Sequence, residues 1–211
     1  MGIAKNGPFG LHTGKIGNLV YYQLNGKNVV REIGKSNLTP SEKQLRVYMQ
    51  TGLMSSFFSV ILPFITTGYA AETTMSDLNA HNICMKQKRE MIVKGTYPDL
   101  ELAYDKILVS KGILLPAVAP MLGQSPEGLQ FSWHTDPQMA WPDSSDQAML
   151  LAYFPETKAL AYKLFGSSRL SGEDTLLIPA ELQDQHMHVY LSFIAADRSA
   201  QANSTYMGSL N

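Results

Sequence analysis

The chain has 211 residues, 45% hydrophobic and 17% charged, with a net charge of −1. That is the composition of a globular protein with length for one large domain or two small ones, and the single cysteine, Cys84, excludes an internal disulfide framework. A charged fraction below the usual quarter hints that part of the surface is covered by another chain.

The charge is unevenly spread. Residues 1–50 carry seven Lys/Arg against two Asp/Glu, a balance of +5, and residues 127–211 carry four against ten, a balance of −6. Opposed ends suit head-to-tail contact between copies as well as docking within one chain. The opening MGIAKNGPFG has no apolar leader run, so no secretory signal is expected. A cytoplasmic location is the default, with extracellular assembly left open.

Glycines at 2, 7, 10, 14 and 17 predict a loop of close backbone approaches over residues 2–17. Next, Asn25-Gly26 stands between two runs rich in Val, Ile, Leu and Tyr, the pattern of a tight hairpin. With that turn Leu24 faces Lys27, Tyr22 faces Val29 and Val20 faces Arg31, while Tyr21 faces Val30 and Leu19 faces Glu32. Both faces of the ribbon are then apolar at its middle. A two-stranded ribbon is marginal in water, so this one needs cover on both sides.

Thr39-Pro40-Ser41-Glu42 reads as a helix start, with Thr39 as cap and Glu42 closing a capping box. Apolar residues from Leu45 to Ile65 recur at helical spacing, and Pro63 should bend or end the helix. No charge falls between Val47 and Ala71, but the polar residues in that run favour a helix buried on most sides over a membrane span. A second helical stretch is predicted from Ser76 to Lys94-Gly95, with Cys84 as a small buried residue. Strands are expected at 106–110 and 113–119, then a linker from Gly123 to Gly128. From Leu129 onward six short strands alternate with turns: 129–134, 148–154, 159–165, 175–178, 187–195 and 205–210. The fold class is thus α+β: a β-hairpin with a two-helix region over residues 1–124, then an antiparallel, immunoglobulin-like β-sandwich over 125–211. Trp133 is a candidate core aromatic.

Several of these points form a pattern. Glycines and Lys15 from Gly10, the ribbon through Arg31, Gln44 and Arg46, Gly95-Tyr97-Pro98, Ser110-x-Gly112 and Ser204-x-Tyr206 resemble a family of uncharacterised Bacteroidota proteins known only as a domain of unknown function. The resemblance spans nearly the whole chain and implies a bacterial source. It implies no activity and no catalytic residues.

Signals for chemistry are weak. A P-loop fails because Phe9 stands where its first glycine belongs and Ile16 where Ser or Thr must be. His186-x-His188 with His134 would make three imidazoles, but no Cys, Asp or Glu stands at ligand spacing beside them. No nucleophile-elbow motif is present, and turn chemistry accounts for Asp143 and Asp146, and for Glu173 and Asp174. Basic residues mix with Tyr21 and Tyr22, yet the acidic C-terminal half argues against nucleic acid as a partner. No cofactor, metal or enzyme activity is therefore expected. The leading expectation is a structural or interaction protein that self-associates, with Tyr21, Tyr22, Val29, Val30, Phe58 and Leu62 as candidate contact residues. The alternative is a carbohydrate- or surface-binding module using loops of the sandwich, with Trp141, beside Pro142, as the candidate ligand residue.

Overall fold

The structure is a computed structural model that describes residues 3–5, 11–24, 27–34, 39–139 and 141–211. The chain divides into two compact units, Met1–Ser41 and Glu42–Asn211. The boundary expected at 124/125 lies inside the second unit.

The first unit is an antiparallel meander of β1 (Ile3–Lys5), β2 (Leu11–Ile16), β3 (Leu19–Leu24) and β4 (Lys27–Glu32). β3 and β4 pair in the register that a two-residue turn at 25–26 dictates: Leu24 opposite Lys27, Tyr22 opposite Val29, Tyr21 opposite Val30 and Leu19 opposite Glu32. Asn25 and Gly26 themselves lie outside the described residues. The glycine-rich start is not all loop. Residues 11–16 are a strand paired with β3, in which Gly14 takes φ +98° opposite Tyr21. A glycine inside a strand accepts a backbone angle that side chains resist.

The second unit opens with α1 (Glu42–Val60), which starts three residues after the predicted cap, Thr39. It bends by 82° into α2 (Leu62–Gly68), with Pro63 in the first turn of α2. No single described helix is long and apolar enough to cross a membrane. After α3 (Ala70–Thr74) the expected second helix is broken into α4 (Ala80–Cys84) and α5 (Arg89–Ile92). Asn79 caps α4 by accepting from the Asn82 amide at 2.8 Å. The stop at Gly95-Tyr97-Pro98 is the turn of a hairpin, β5 (Val93–Thr96) with β6 (Asp99–Leu102).

Seven strands follow: β7 (Val118–Ser125), β8 (Gly128–His134), β9 (Gln147–Phe154), β10 (Ala159–Lys163), β11 (Glu173–Leu177), β12 (Met187–Ile194) and β13 (Thr205–Leu210). They form one sheet of order β11-β8-β7 and one of order β10-β9-β12-β13, all antiparallel. Lettered A to G, that is E-B-A against D-C-F-G. It is an immunoglobulin-like sandwich whose fourth strand pairs with C, where the constant-type domain pairs it with E. The residues expected to be a linker, 123–128, are the end of β7, a two-residue turn and the first residue of β8.

The layering explains the apolar run of β9. Ala148, Leu150, Ala152 and Phe154 face Leu129, Phe131, Trp133 and Leu176 of the other sheet. Met149, Leu151 and Tyr153, with Tyr190 and Ile194 of β12, face Phe57, Phe58, Ile61, Phe64 and Tyr69 of the helices. β9 and β12 are covered on both faces, so their sequence is nearly continuously apolar. Trp133 is a core aromatic as expected, packed edge-on to Phe193 and donating its indole N–H to the Arg169 carbonyl at 2.7 Å.

Residues 107–116, expected to be strands, form instead a strap held largely by side chains. Gln87 accepts from the Leu108 amide and donates to its carbonyl, and the Tyr69 hydroxyl donates to that same carbonyl. On the sandwich side, Ser204 Oγ accepts from the Val109 amide at 2.9 Å, and Ser110 Oγ donates to the Ala202 carbonyl at 2.6 Å. Gly112 runs so close to the Gln201 carbonyl that a Cβ would collide with it. Ser110, Gly112 and Ser204, three of the points that carry the family resemblance, are thus the fastening of this strap.

Candidate functional site

The expected contact residues are distributed unequally. In the first unit Tyr21 and Tyr22 are half-buried, Val29 likewise, and Val30 is 49% exposed. Tyr21 meets His12 edge-on at 5.5 Å. The register sets Tyr22 and Val29 on one face and Tyr21 and Val30 on the other. No described side chain of this unit is buried. The exposure continues into α1, whose residues 42–48 are all exposed, Leu45, Val47 and Tyr48 among them. The first buried residue of the described chain is Gln50. Phe58 is different: it is fully buried in the core of its own unit, between the helices and the sandwich. Leu62, four residues on, is exposed.

Trp141 is 81% exposed. It borders a cleft of about 270 Å³ with Leu114, Pro142, Asp143, Asp197 and Ser199. The segment behind it is rigidly held. Arg169, itself buried, donates through Nε and Nη2 to Asp146 at 3.2 and 3.0 Å, and through Nη2 to the Leu115 carbonyl at 2.7 Å. Its guanidinium also lies 3.8 Å from the centroid of Phe193. Burial pushes the Asp146 carboxyl up, and the Arg169 guanidinium partly offsets this.

Sequence reasoning missed an apolar rim beside this cleft. Ile113 is 90% exposed, and Leu115, Val118 and Met121 also project from the strap and from β7, an edge strand of its sheet. Ile113, Leu115 and Val118 border a second cavity of about 210 Å³ together with His134 and Arg169. The signal was present as Ile113-Leu114-Leu115, three apolar residues in a row, but it reads equally well as a buried strand.

The histidines do not converge. His134 lies on β8 of the three-stranded sheet, while His186 immediately precedes β12 of the other and His188 is that strand's second residue. His188 stacks on Tyr104 at 3.7 Å and shares a hydrogen bond from Nδ1 to the Tyr206 hydroxyl at 2.9 Å. Burial, with His186 and Lys94 nearby, holds its pKa down at about 4, so the ring is neutral at physiological pH. His188 and Tyr104 border an open groove of about 430 Å³ with Lys94, Glu101 and His186. Among the described residues no three His, Cys, Asp or Glu side chains are placed to share a metal ion. Burial also pushes the Cys84 thiol up to about 12, which keeps it protonated.

The fold therefore defines an α+β protein: an N-terminal antiparallel sheet, then helices laid on an immunoglobulin-like sandwich. Residues 11–208 match the model of a family of unknown function, DUF6266, and the chain belongs to that family. No curated protein and no solved structure matches the chain.

Proposed function

We propose that this chain is a structural protein that self-associates, with the N-terminal sheet as its contact element. The observation that carries this reading is that no described side chain ahead of Gln50 is buried, although Leu19, Val20, Tyr21, Tyr22, Val29 and Val30 lie there. A four-stranded sheet gains its stability by burying at least one face. Here both faces offer a tyrosine–valine pair, and none of these four side chains is buried. Lys27 and Arg31 on the outer strand β4 discourage pairing along the edge, which leaves the faces as the contact surface. The basic balance of residues 1–50 and the acidic balance of residues 127–211 favour a head-to-tail arrangement.

Size-exclusion chromatography with light scattering tests this. The expected mass is a multiple of 23.3 kDa, falling to one chain in Tyr22→Asp with Val29→Asp while the circular dichroism of the second unit is kept. A monodisperse single chain for the unmutated protein would sink the proposal. Negative-stain images of the same sample distinguish a closed ring from a filament.

A further inference from the structure

We propose that the cleft beside Trp141 binds a single neutral sugar ring. The argument starts from what the lining can and cannot offer. Ser145 Oγ donates to the Pro142 carbonyl at 2.6 Å, and Ser199 Oγ donates to Asp197 Oδ1 at 2.6 Å. Both hydroxyl protons are committed, so these oxygens face a ligand as acceptors. Asp143 and Asp197 add carboxylates, and the Ser199 hydroxyl and amide hold Asp197 below the usual carboxylate range. Among the described residues no Lys or Arg lines the cleft: Arg169 is held in the buried pair with Asp146, and Arg198 has its guanidinium 4.1 Å from the Phe165 centroid. The lining side chains are therefore acceptors without an available positive charge. A phosphate or carboxylate is repelled, and the ligand must bring its own O–H or N–H donors.

The rest of the lining asks for an apolar face. Ala195, Ala196, Ala200, Leu114 and Pro142 form the walls, and the exposed indole supplies a flat, polarisable surface. A pyranose matches this combination, with C–H bonds on one face and hydroxyl donors round its rim. The volume of about 270 Å³ lies just under the ~300 Å³ at which small-molecule pockets begin. That suits one ring and not a chain of them. The walls are also preorganised. The Ser145 amide donates to the Pro142 carbonyl at 2.9 Å, Asp146 is clamped by Arg169, and the Ala195 amide donates to Ala200 across the opposite turn.

The test uses the full chain and saturation-transfer NMR with free methyl glycosides of glucose, galactose, mannose and N-acetylglucosamine. At least one should bind, with a Kd of about 1 mM. Trp141→Ala should weaken it by about tenfold or more, and Trp141→Phe by less. Met75→Ser, on an exposed side chain outside the cleft, should leave binding unchanged. Nα-acetyl-lysine amide is the competing probe, because two carboxylates beside an indole also suit an ammonium group. If that amine binds more tightly than every glycoside, the cleft is a cation site and the proposal falls. It falls equally if no glycoside binds, or if binding survives Trp141→Ala in full. The cleft lies wholly within the second unit, so Tyr22→Asp with Val29→Asp should not change sugar binding even where it abolishes association.

Discussion

Strands β3 and β12 both carry a Val-Tyr pair in the middle of an apolar antiparallel strand, and they end in opposite circumstances. Val189 and Tyr190 of β12 are completely buried, one against the other sheet and one against the helices. Val20 and Tyr21 of β3 are only half-buried. The local pattern is the same; what differs is the layers that the surrounding chain supplies. Burial belongs to the stack of layers and not to the strand.

The largest effect should come from the doubly covered strands. Phe193→Ala opens a cavity between the two sheets and should cost about 4 kcal/mol in urea denaturation. A cost below about 1 kcal/mol would mean that the sandwich core is not as closed as its geometry indicates. Next comes Asp146→Asn, which leaves the buried Arg169 guanidinium without its counter-charge. It should cost about 3 kcal/mol, and a neutral result would show that water reaches the pair.

A smaller, pH-dependent effect separates His188 from the rest. Its folded pKa of about 4 lies below the ordinary value of 6.5. The unfolded chain therefore binds the proton first, and stability falls as the pH is lowered from about 6.5 to 4. Asp174 is a contrast. Burial pushes it up, but Lys163 and the amides of Ser167 and Thr175 hold it below the carboxylate range, so its contribution is lost only below about pH 4. Thermal melts at pH 7 and pH 5 should thus differ less for His188→Gln than for the unmutated protein. Equal differences would discount His188 as the cause. The smallest effect should be on the unexposed core when the ribbon is altered. Tyr22→Asp with Val29→Asp should change the unfolding free energy of the second unit by less than about 0.5 kcal/mol, and a larger change would tie the two units together energetically.

The sequence made strand register legible where local chemistry decides it. The β3–β4 pairing follows from the position of Asn25-Gly26, and the last strand was placed at Thr205–Leu210, where it lies. Layering was not legible, because the helices that cover Leu151 and Tyr190 are about a hundred residues away along the chain. The strap misled for a related reason. Leu108 and Val109 look like a strand, but their amides are satisfied by Gln87 and Ser204, partners that no local period reveals. Likewise Phe58 and Leu62 share a helical repeat, yet the 82° bend intervenes, sending one into the core and leaving the other outside. Trp141 was readable as a surface aromatic from its polar, proline-bearing neighbourhood. The cleft beside it was not, since its far wall comes from residues 195–200.

The strap also bears on how such a chain can diversify. It fastens to Gln87 and Tyr69 on one side and to Ser204 and Ala202 on the other. A recombination event that exchanged only residues 125–211 would part β7 from β8, undo the fastenings to Ser204 and Ala202 and uncover one face of β9 and β12. Viable shuffling is expected instead near residue 41, where the two compact units divide. Descendants of this architecture should therefore inherit the helices and the sandwich together, and vary most freely in the N-terminal ribbon.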